Sequence, residues 1–119
     1  MPEKIGPLGE NIAAEFLARR GFRIVQRNWR CHQVGEIDLI VTKKNELVFV
    51  EVKTRTNQHF GAGIDSVDEY KLVRLFATAE EYVLQHQKYA RHDWQLDVIE
   101  VHLNFTTRRA QVQWWRGMA

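Results

Sequence analysis

The chain has 119 residues, of which 45% are hydrophobic, 27% charged and 11% aromatic, and its formal net charge is +2 at neutral pH. This composition is typical of a globular protein and excludes disorder and repeats, and neither a membrane-helix run of about 18 apolar residues nor a secretory signal is present. The length predicts a single domain over residues 1–119. Because the lone Cys31 excludes an internal disulfide, we expect the protein in the reducing cytoplasm, with no membrane partner.

The N-terminal part of the chain predicts a helix followed by a strand. Apolar residues at helical spacing indicate a helix from about Leu8 to Arg20, which Gly21 would end. At that spacing Glu10 lies at the rim of the buried stripe rather than on the solvent side. A strand is predicted over residues 22–30.

The next two elements are predicted to form a β-hairpin. Alternating residues indicate strands at Glu36–Thr42 and Leu47–Thr54, joined by the turn Lys43–Glu46. A turn of two or four residues centred there pairs Thr42 with Leu47. The register of the whole hairpin follows from that one pair.

This register predicts an unusual cluster of charges on one face of the hairpin. Asp38 falls directly opposite Glu51, and Lys53 shares their face, opposite Glu36. Like charges directly opposite each other destabilise a sheet by up to about 1 kcal/mol. The arrangement therefore indicates a cation site; the alternative is a hairpin with a polar, solvated face.

The C-terminal half predicts a long helix and further strand structure. The capping-box pair Ser66 and Glu69 follows a loop containing Gly61 and opens a helix that extends to about Gln87. The later elements are a polar connection at residues 88–93, a strand at residues 94–103, and a short strand or helical turn at residues 110–115. The order α-β-β-β-α-β with a short C-terminal element predicts an α/β domain with a mixed sheet.

The hairpin cluster suits a hard divalent cation. Mg²⁺ prefers oxygen ligands, typically one or two carboxylates together with water and substrate phosphate. Asp38, Glu51 and the backbone carbonyl of Val52 could supply such ligands, and Glu10 is the candidate for a second metal. Lys53 could hold a water molecule or balance charge on a phosphate. These groups suit the metal-assisted hydrolysis of a phosphodiester.

Arginines are unevenly distributed along the chain. No acidic residue lies between Glu15 and Glu36, whereas Arg27 and Arg30 are among several arginines in that stretch. A second cluster contains Arg108, Arg109 and Arg116. Each cluster is either a solvated face or a stripe that follows phosphates. Arg55 shares the face of Lys53, where it is either a contact for the scissile phosphate or a surface arginine.

Several motifs together resemble a known family. They are Gly9-Glu10, Asn28-Trp29-Arg30, Gly35-Glu36-Ile37-Asp38-Leu39-Ile40 and Val48-Phe49-Val50-Glu51-Val52-Lys53-Thr54-Arg55, together with Gly61, Lys71 and Asp97-Val98. They resemble the YraN-like family of uncharacterised bacterial proteins, within the restriction-endonuclease-like superfamily whose signature is PD-(D/E)-x-K. The same motifs also resemble archaeal Holliday-junction resolvases. Ile37 departs from the proline of that signature.

The resemblance implies a fold, a site and an activity. The fold would be a restriction-endonuclease-like mixed central sheet flanked by helices. The catalytic residues would be Glu10, Asp38, Glu51 and Lys53, with Mg²⁺ or Mn²⁺ as cofactor. Lys71, which matches the family pattern, is a candidate contact for nucleic acid, together with Arg55, Arg27 and Arg30 from the reasoning above.

Two functions are compatible with these features. The first is a metal-dependent nuclease acting on DNA, including branched or structured DNA in repair or recombination. The second is a nucleic-acid-binding module with the same fold and no catalysis. A homodimer follows if junctions are cut, because two active sites are then required. For Asp97, which shares an apolar face with its strand neighbours, we favour a structural role.

Overall fold

Five strands form one mixed sheet in a computed structural model of the chain, which describes residues 2–56 and 68–119. The elements in chain order are α1 (Pro2–Arg19), β1 (Arg23–Cys31), β2 (Gly35–Lys43), β3 (Glu46–Arg55), α2 (Glu69–Gln85), β4 (Asp93–Asn104) and β5 (Arg109–Trp115), with a 3-10 turn at Gln87–Tyr89. The strands are ordered β1-β2-β3-β4-β5, with β3 and β4 parallel and the other neighbours antiparallel. The predicted α/β class and element order are confirmed, and the short C-terminal element is a strand.

Helix α1 begins earlier than the sequence pattern predicted. It starts at Pro2 rather than near Leu8, so Pro7 lies inside it. The first four amides of a helix have no intrahelical acceptor. Pro7 lies beyond them and has no amide hydrogen, so it removes one helical hydrogen bond. Within the described residues, neither helix combines the length and the apolar character needed to cross a bilayer.

Helix α2 begins with a different cap from the one predicted. Asp68 is its N-cap, and its side chain accepts a 2.8 Å hydrogen bond from the Lys71 amide. Ser66 and the Gly61 loop lie outside the described residues. Capping by Asp68 places Lys71 in the first turn of a helix that packs on the sheet.

The hairpin of β2 and β3 has the predicted register. Thr42 pairs with Leu47, and Lys43 pairs with Glu46, which leaves a two-residue turn. Lys44 in that turn has a positive φ of 55°, as the favoured two-residue hairpin turns require at their first position.

The ladder between β2 and β3 is shorter than predicted. Its last pair is Leu39 with Val50, one step before Asp38 and Glu51. The ladder therefore does not reach Lys53 and Glu36, and their predicted pairing is wrong. On the other side of β2, Glu36 pairs with Arg30 of β1. The two strands separate where the acidic residues begin.

The sheet is packed between the two helices. Buried residues of α1 lie against one face together with members of three strands: Ala13, Ala14, Leu17, Leu39, Val41, Val48, Val50, Ile99 and Val101. Residues of α2 lie against the other face: Leu75, Ala79 and Tyr82, with Ile40, Leu47, Phe49, Leu96 and Val98. Trp114 packs on the first face and Trp115 on the second. Both tryptophans therefore contribute to the core.

Asp97 is a structural residue, as expected. Its side chain is 1% exposed and lies 3.3 Å from the Arg116 guanidinium. Its carboxylate also accepts hydrogen bonds from Gln95 Nε2 at 2.7 Å, Trp114 Nε1 at 2.8 Å and the Gly117 amide at 2.8 Å. These contacts bind the C-terminal segment to β4, in register with Val50 and on the opposite face of the sheet from Glu51.

Gly9 allows α1 to lie directly on β3. A Cβ added at this position would overlap the side chain of Thr54. The neighbour of Thr54 is Lys53, and the neighbour of Gly9 is Glu10. The close contact between helix and strand therefore brings Glu10 towards the C-terminal half of β3.

We expect Gly9→Ala to lower the free energy of unfolding by about 1–3 kcal/mol, because the added methyl overpacks the helix–strand contact. Gly6→Ala is the matched control within α1, since no atom other than those of its chain neighbours and its own helix backbone lies within 4 Å of its added Cβ. That control should change stability by less than about 1 kcal/mol, because the gain in helix propensity is opposed by the contact of the new β-carbon with the ring of Pro7. Urea unfolding of both variants measures the difference, and a Gly9→Ala protein as stable as the native chain would contradict the close contact.

Candidate active site

The two predicted carboxylates, Asp38 and Glu51, meet where β2 and β3 separate. The Asp38 side chain takes the place of the next ladder bond: its Oδ2 accepts a 2.8 Å hydrogen bond from the Val52 amide. Asp38 and Glu51 also share a side-chain hydrogen bond. The two carboxyl groups are therefore in contact, although Asp38 and Glu51 are not paired in the ladder as predicted.

Two lysines contact the Glu51 carboxylate. Lys71 Nζ of α2 lies 2.7 Å from Glu51 Oε2, and Lys53 Nζ lies 3.3 Å from the same oxygen. The Glu51 side chain is 10% exposed, so this charge cluster is largely shielded from bulk water. Lys71, predicted from the resemblance to contact nucleic acid, is thus an immediate neighbour of the acidic pair.

Burial, neighbouring charges and hydrogen bonds shift the pKa values of Asp38 and Glu51 in opposite directions. Burial, followed by the charge of Glu51, raises the pKa of Asp38 from 3.8 to about 8. Burial also acts to raise the pKa of Glu51, but the hydrogen bonds from Lys71 and Asp38 outweigh it and lower that pKa. In the absence of a cation, the pair therefore holds one proton on Asp38 and one negative charge on Glu51.

The two lysines also differ. Burial and the neighbouring Lys71 lower the pKa of Lys53, although Glu51 acts in the opposite direction. For Lys71, burial acts to lower the pKa, but the hydrogen bond to Glu51 outweighs it and raises the pKa. Lys71 is thus the main counter-charge of Glu51.

Glu10 approaches the pair from α1. Burial raises its pKa, a hydrogen bond from Asn28 lowers it, and the nearby charges of Glu36 and Glu51 raise it. Asn28 has a left-handed φ of 50° within β1. Backbone strain of this kind often accompanies a functional site. Asn28 was not predicted as a site residue, although its type tolerates this conformation better than most.

Glu100 is a further acidic residue that the sequence pattern did not identify. It is fully buried on β4, in register with Lys53 of the parallel β3, and its Oε2 lies 3.6 Å from Arg55 Nε. This contact places Arg55 on the face of Lys53, as predicted. Arg55 is half-buried rather than a surface arginine.

The arginines of β1 lie farther out. Arg27 donates a 2.6 Å hydrogen bond to Asn11 Oδ1, and Arg30 lies 3.3 Å from Glu36. Arg27 is also close enough to influence the pKa of Glu10. Arg27 pairs with Leu39 and faces α1, whereas Arg30 pairs with Glu36, which lines the same cavity as Asp38.

A cavity of about 240 Å³ opens onto the carboxylate pair. Asp38, Glu51 and Lys71 line it, together with Gly35, Glu36, Arg74, Leu75 and Thr78. A Cβ at Gly35 would lie 2.5 Å from Thr78 Oγ1, so glycine at this position allows α2 to pack closely against β2 beside the cavity. The site is thus accessible from the α2 side.

The donor set suits a divalent cation that binds few protein ligands. Within residues 2–56 and 68–119, no group of three or more His, Cys, Asp or Glu side chains is arranged around a common point. Mg²⁺ commonly uses one or two carboxylates and fills its remaining positions with water and phosphate. Asp38 and Glu51 are such a pair of carboxylates, and burial, followed by the charge of Glu51, raises the pKa of Asp38 to about 8 when no cation is bound.

The fold and this cluster together define an α/β protein with a carboxylate–lysine centre on the central strands of a mixed sheet. The chain belongs to the family described as Uncharacterised protein family UPF0102, whose model matches residues 9–101. The matched range contains Glu10, Asp38, Glu51, Lys53 and Lys71. The predicted resemblance to the YraN-like family is confirmed.

Relatives match over most of their length. A UPF0102 protein of Caldanaerobacter subterraneus is 41% identical, with 84% of this chain and 80% of that protein covered. A UPF0102 protein of Beutenbergia cavernae is 39% identical, with 98% and 96% covered. Among solved structures, Pyrococcus furiosus SfsA in complex with Ca²⁺ aligns with a TM-score of 0.43 and 12% identity. That alignment covers 97% of this chain and 63% of the SfsA chain, and its low score indicates no function.

Proposed function

We propose that this protein is a metal-dependent nuclease that hydrolyses phosphodiester bonds in DNA. The observation that carries the proposal is the contact of Asp38 with Glu51 at the mouth of a cavity that Lys71 also lines. A binding surface for a polyanion gains nothing from adjacent buried carboxylates, because they repel phosphate. Carboxylates become useful there when a cation joins them to the phosphate.

Asp38, Glu51 and the Val52 carbonyl would hold Mg²⁺ or Mn²⁺, and Glu10 is the candidate for a second ion. When bound, the cation would activate water and neutralise charge on the phosphate. Lys53, whose ammonium is partly buried beside Glu51, would donate to a phosphate oxygen or orient the water. Arg55 and Lys71 would hold the phosphate from either side of Lys53.

The residue pattern supports a place in the restriction-endonuclease-like superfamily. Asp38 on β2 and the Glu51-Val52-Lys53 run on β3 occupy the positions that the PD-(D/E)-x-K signature requires. The resemblance to junction resolvases extends the proposal to branched or structured DNA. Such a substrate would need two copies of the chain, because each active site cuts one strand.

A second candidate function is a nucleic-acid-binding module without catalysis. The 2.7 Å contact of Lys71 with Glu51 favours it, because a lysine that neutralises the carboxylate lets the fold dispense with a cation. Two carboxylates would then be a structural feature of the binding cleft. The two functions differ in whether DNA is cut.

The test is incubation of the purified protein with linear, single-stranded and four-way-junction DNA in Mg²⁺ or Mn²⁺. We expect cleavage by the native chain on at least one substrate, reduced by about a hundredfold or more in Lys53→Ala because an electrostatic donor near the phosphate is lost. Lys88→Ala, an exposed lysine on the 3-10 turn, is the matched control and should cleave as the native chain does.

DNA binding distinguishes the two functions. Cleavage lost in Lys53→Ala while binding persists supports the nuclease. Binding without cleavage of any substrate by the native protein would instead support the module. Cleavage that is equal in Lys53→Ala and Lys88→Ala would point to a contaminating nuclease.

A further inference from the structure

The hairpin of β4 and β5 continues the face of the candidate site towards one end of the sheet. Opposed residues in an antiparallel ladder share a face. On this ladder the opposed pairs are Glu100 with Gln113, His102 with Gln111, and Asn104 with Arg109. The parallel ladder places Lys53 beside Glu100 and Arg55 beside His102, so all these residues lie on the face of Lys53.

The hairpin end is basic. No aspartate or glutamate occurs from Val101 to Ala119. Arg108 and Arg109 are both exposed at the hairpin tip. Arg116 is engaged by Asp97 and Glu46, so it belongs to the other end of β4. The hairpin end thus offers positive charge to a ligand.

An aromatic ring is held outward at the same tip. Phe105 is 63% exposed. The turn that carries it is fixed by Asn104, whose Oδ1 accepts hydrogen bonds from the Thr106 and Thr107 amides at 3.0 and 3.1 Å. The ring is thus presented to solvent on an ordered turn, where a planar ligand can stack on it.

The ring and the arginine adjoin a large concavity. A cavity of about 630 Å³ is lined by Thr56, His102, Asn104, Phe105, Arg109 and Gln111, among others. Thr56 follows Arg55 directly, so the cavity begins where the candidate site ends. From Glu100 to Asn104 the strand spans about 13 Å.

We propose that the β4–β5 hairpin end is a second binding site for the nucleic acid, and that it takes an unpaired strand. The proposal rests on the proposed function in taking nucleic acid as the ligand. Phe105 stacks on an exposed base, while Arg109 and Arg108 contact the adjoining phosphates. An exposed ring gains little from duplex DNA, whose base faces are already stacked, so the hairpin favours a single-stranded segment beside the site of cleavage.

The experiment measures binding to a labelled oligothymidylate and to a blunt duplex of equal length by fluorescence anisotropy, with a chelator present so that no cleavage intervenes. We expect Phe105→Ala to weaken single-strand binding by about tenfold and duplex binding by much less. In the double variant Arg108→Gln and Arg109→Gln, the logarithm of the single-strand binding constant should depend less steeply on the logarithm of salt concentration. The magnitude of that slope should decrease by about 1.4.

Two controls match these changes. Leu84→Ala removes another exposed apolar side chain, 68% exposed on α2, and Arg91→Gln removes an exposed arginine before β4 begins. Both should bind within about twofold of the native chain, since neither site contacts the proposed strand path.

The outcomes separate this inference from the proposed function. Hairpin variants that bind the single strand as the native chain does overturn the inference, even if the protein cleaves DNA. A larger loss for the duplex than for the single strand in Phe105→Ala also overturns it. A third outcome is that the native protein cuts no DNA while the hairpin variants lose single-strand binding. That outcome would uphold the inference and overturn the nuclease.

Discussion

Asp38→Asn is expected to abolish cleavage and at the same time to stabilise the metal-free protein at pH 8. The amide oxygen can still accept the Val52 hydrogen bond, whereas the negative charge that would hold a cation is lost. Cleavage should fall by at least about a hundredfold, as for the loss of a metal contact.

The stability gain follows from the raised pKa of Asp38. Burial and Glu51 raise that pKa from 3.8 to about 8, so between these values the folded chain retains a proton that the unfolded chain has released. The free energy of unfolding of the native chain therefore falls as pH rises from about 4 to 8. Asparagine does not titrate, so the variant lacks this loss of stability. We therefore expect the variant to be more stable than the native chain at pH 8, with a difference that shrinks as pH falls towards 4.

Urea unfolding in a chelating buffer at pH 5 and pH 8 measures the effect. Asp93→Asn, an exposed aspartate at the start of β4, is the control and should keep the pH dependence of the native chain. Added Mg²⁺ should stabilise the native chain at pH 8 but not Asp38→Asn. An Asp38→Asn protein that is less stable than the native chain at pH 8 would contradict the buried, protonated acid.

Glu51→Gln is expected to have the opposite effect on stability. Glu51 lies between two ammonium groups, 2.7 Å from Lys71 and 3.3 Å from Lys53. Without its charge, the lysines face each other without a counter-ion, and breaking such a largely buried pair should cost about 2–4 kcal/mol. Because the pKa of Glu51 is lowered by Lys71 and Asp38 against the effect of burial, its stabilising contribution is present at neutral pH and is lost only as pH falls below the ordinary glutamate range.

A double-mutant cycle with Lys71→Met tests the contact itself. Glu51→Gln should destabilise the Lys71→Met background by clearly less than it destabilises the native chain, with a coupling of about 1–3 kcal/mol. Glu15→Gln removes one partner of the exposed Glu15–Arg19 pair and should change stability by less than about 0.5 kcal/mol. If Glu51→Gln were as neutral as Glu15→Gln, the charge cluster would have no energetic role.

The site was predictable to the extent that it depends on one hairpin. The pairing of Thr42 with Leu47 follows from a short turn and from alternation, and these local features place Asp38 opposite Glu51. The pairing of Lys53 with Glu36 fails because the strands separate beyond Leu39, where the Asp38 side chain replaces a backbone bond. Sequence alternation does not encode where a ladder ends.

The remaining site residues depend on non-local geometry. Glu100 meets Lys53 only because β4 lies parallel to β3 in one particular register, which a long β-α-β connection sets. The position of Lys71 depends on how α2 is rotated about its axis and where it is capped. The early start of α1 was missed because the predicted apolar stripe begins at Leu8, whereas the helix begins at Pro2.

The bond between the Val52 amide and Asp38 has a practical consequence. This amide proton is held by an ionisable side chain instead of a neighbouring strand, so its environment changes whenever that side chain gains or loses charge. The amide resonance of Val52 in nuclear magnetic resonance is therefore a built-in indicator for the site. Its chemical shift follows the protonation of Asp38, and a bound cation alters it, without any label being introduced.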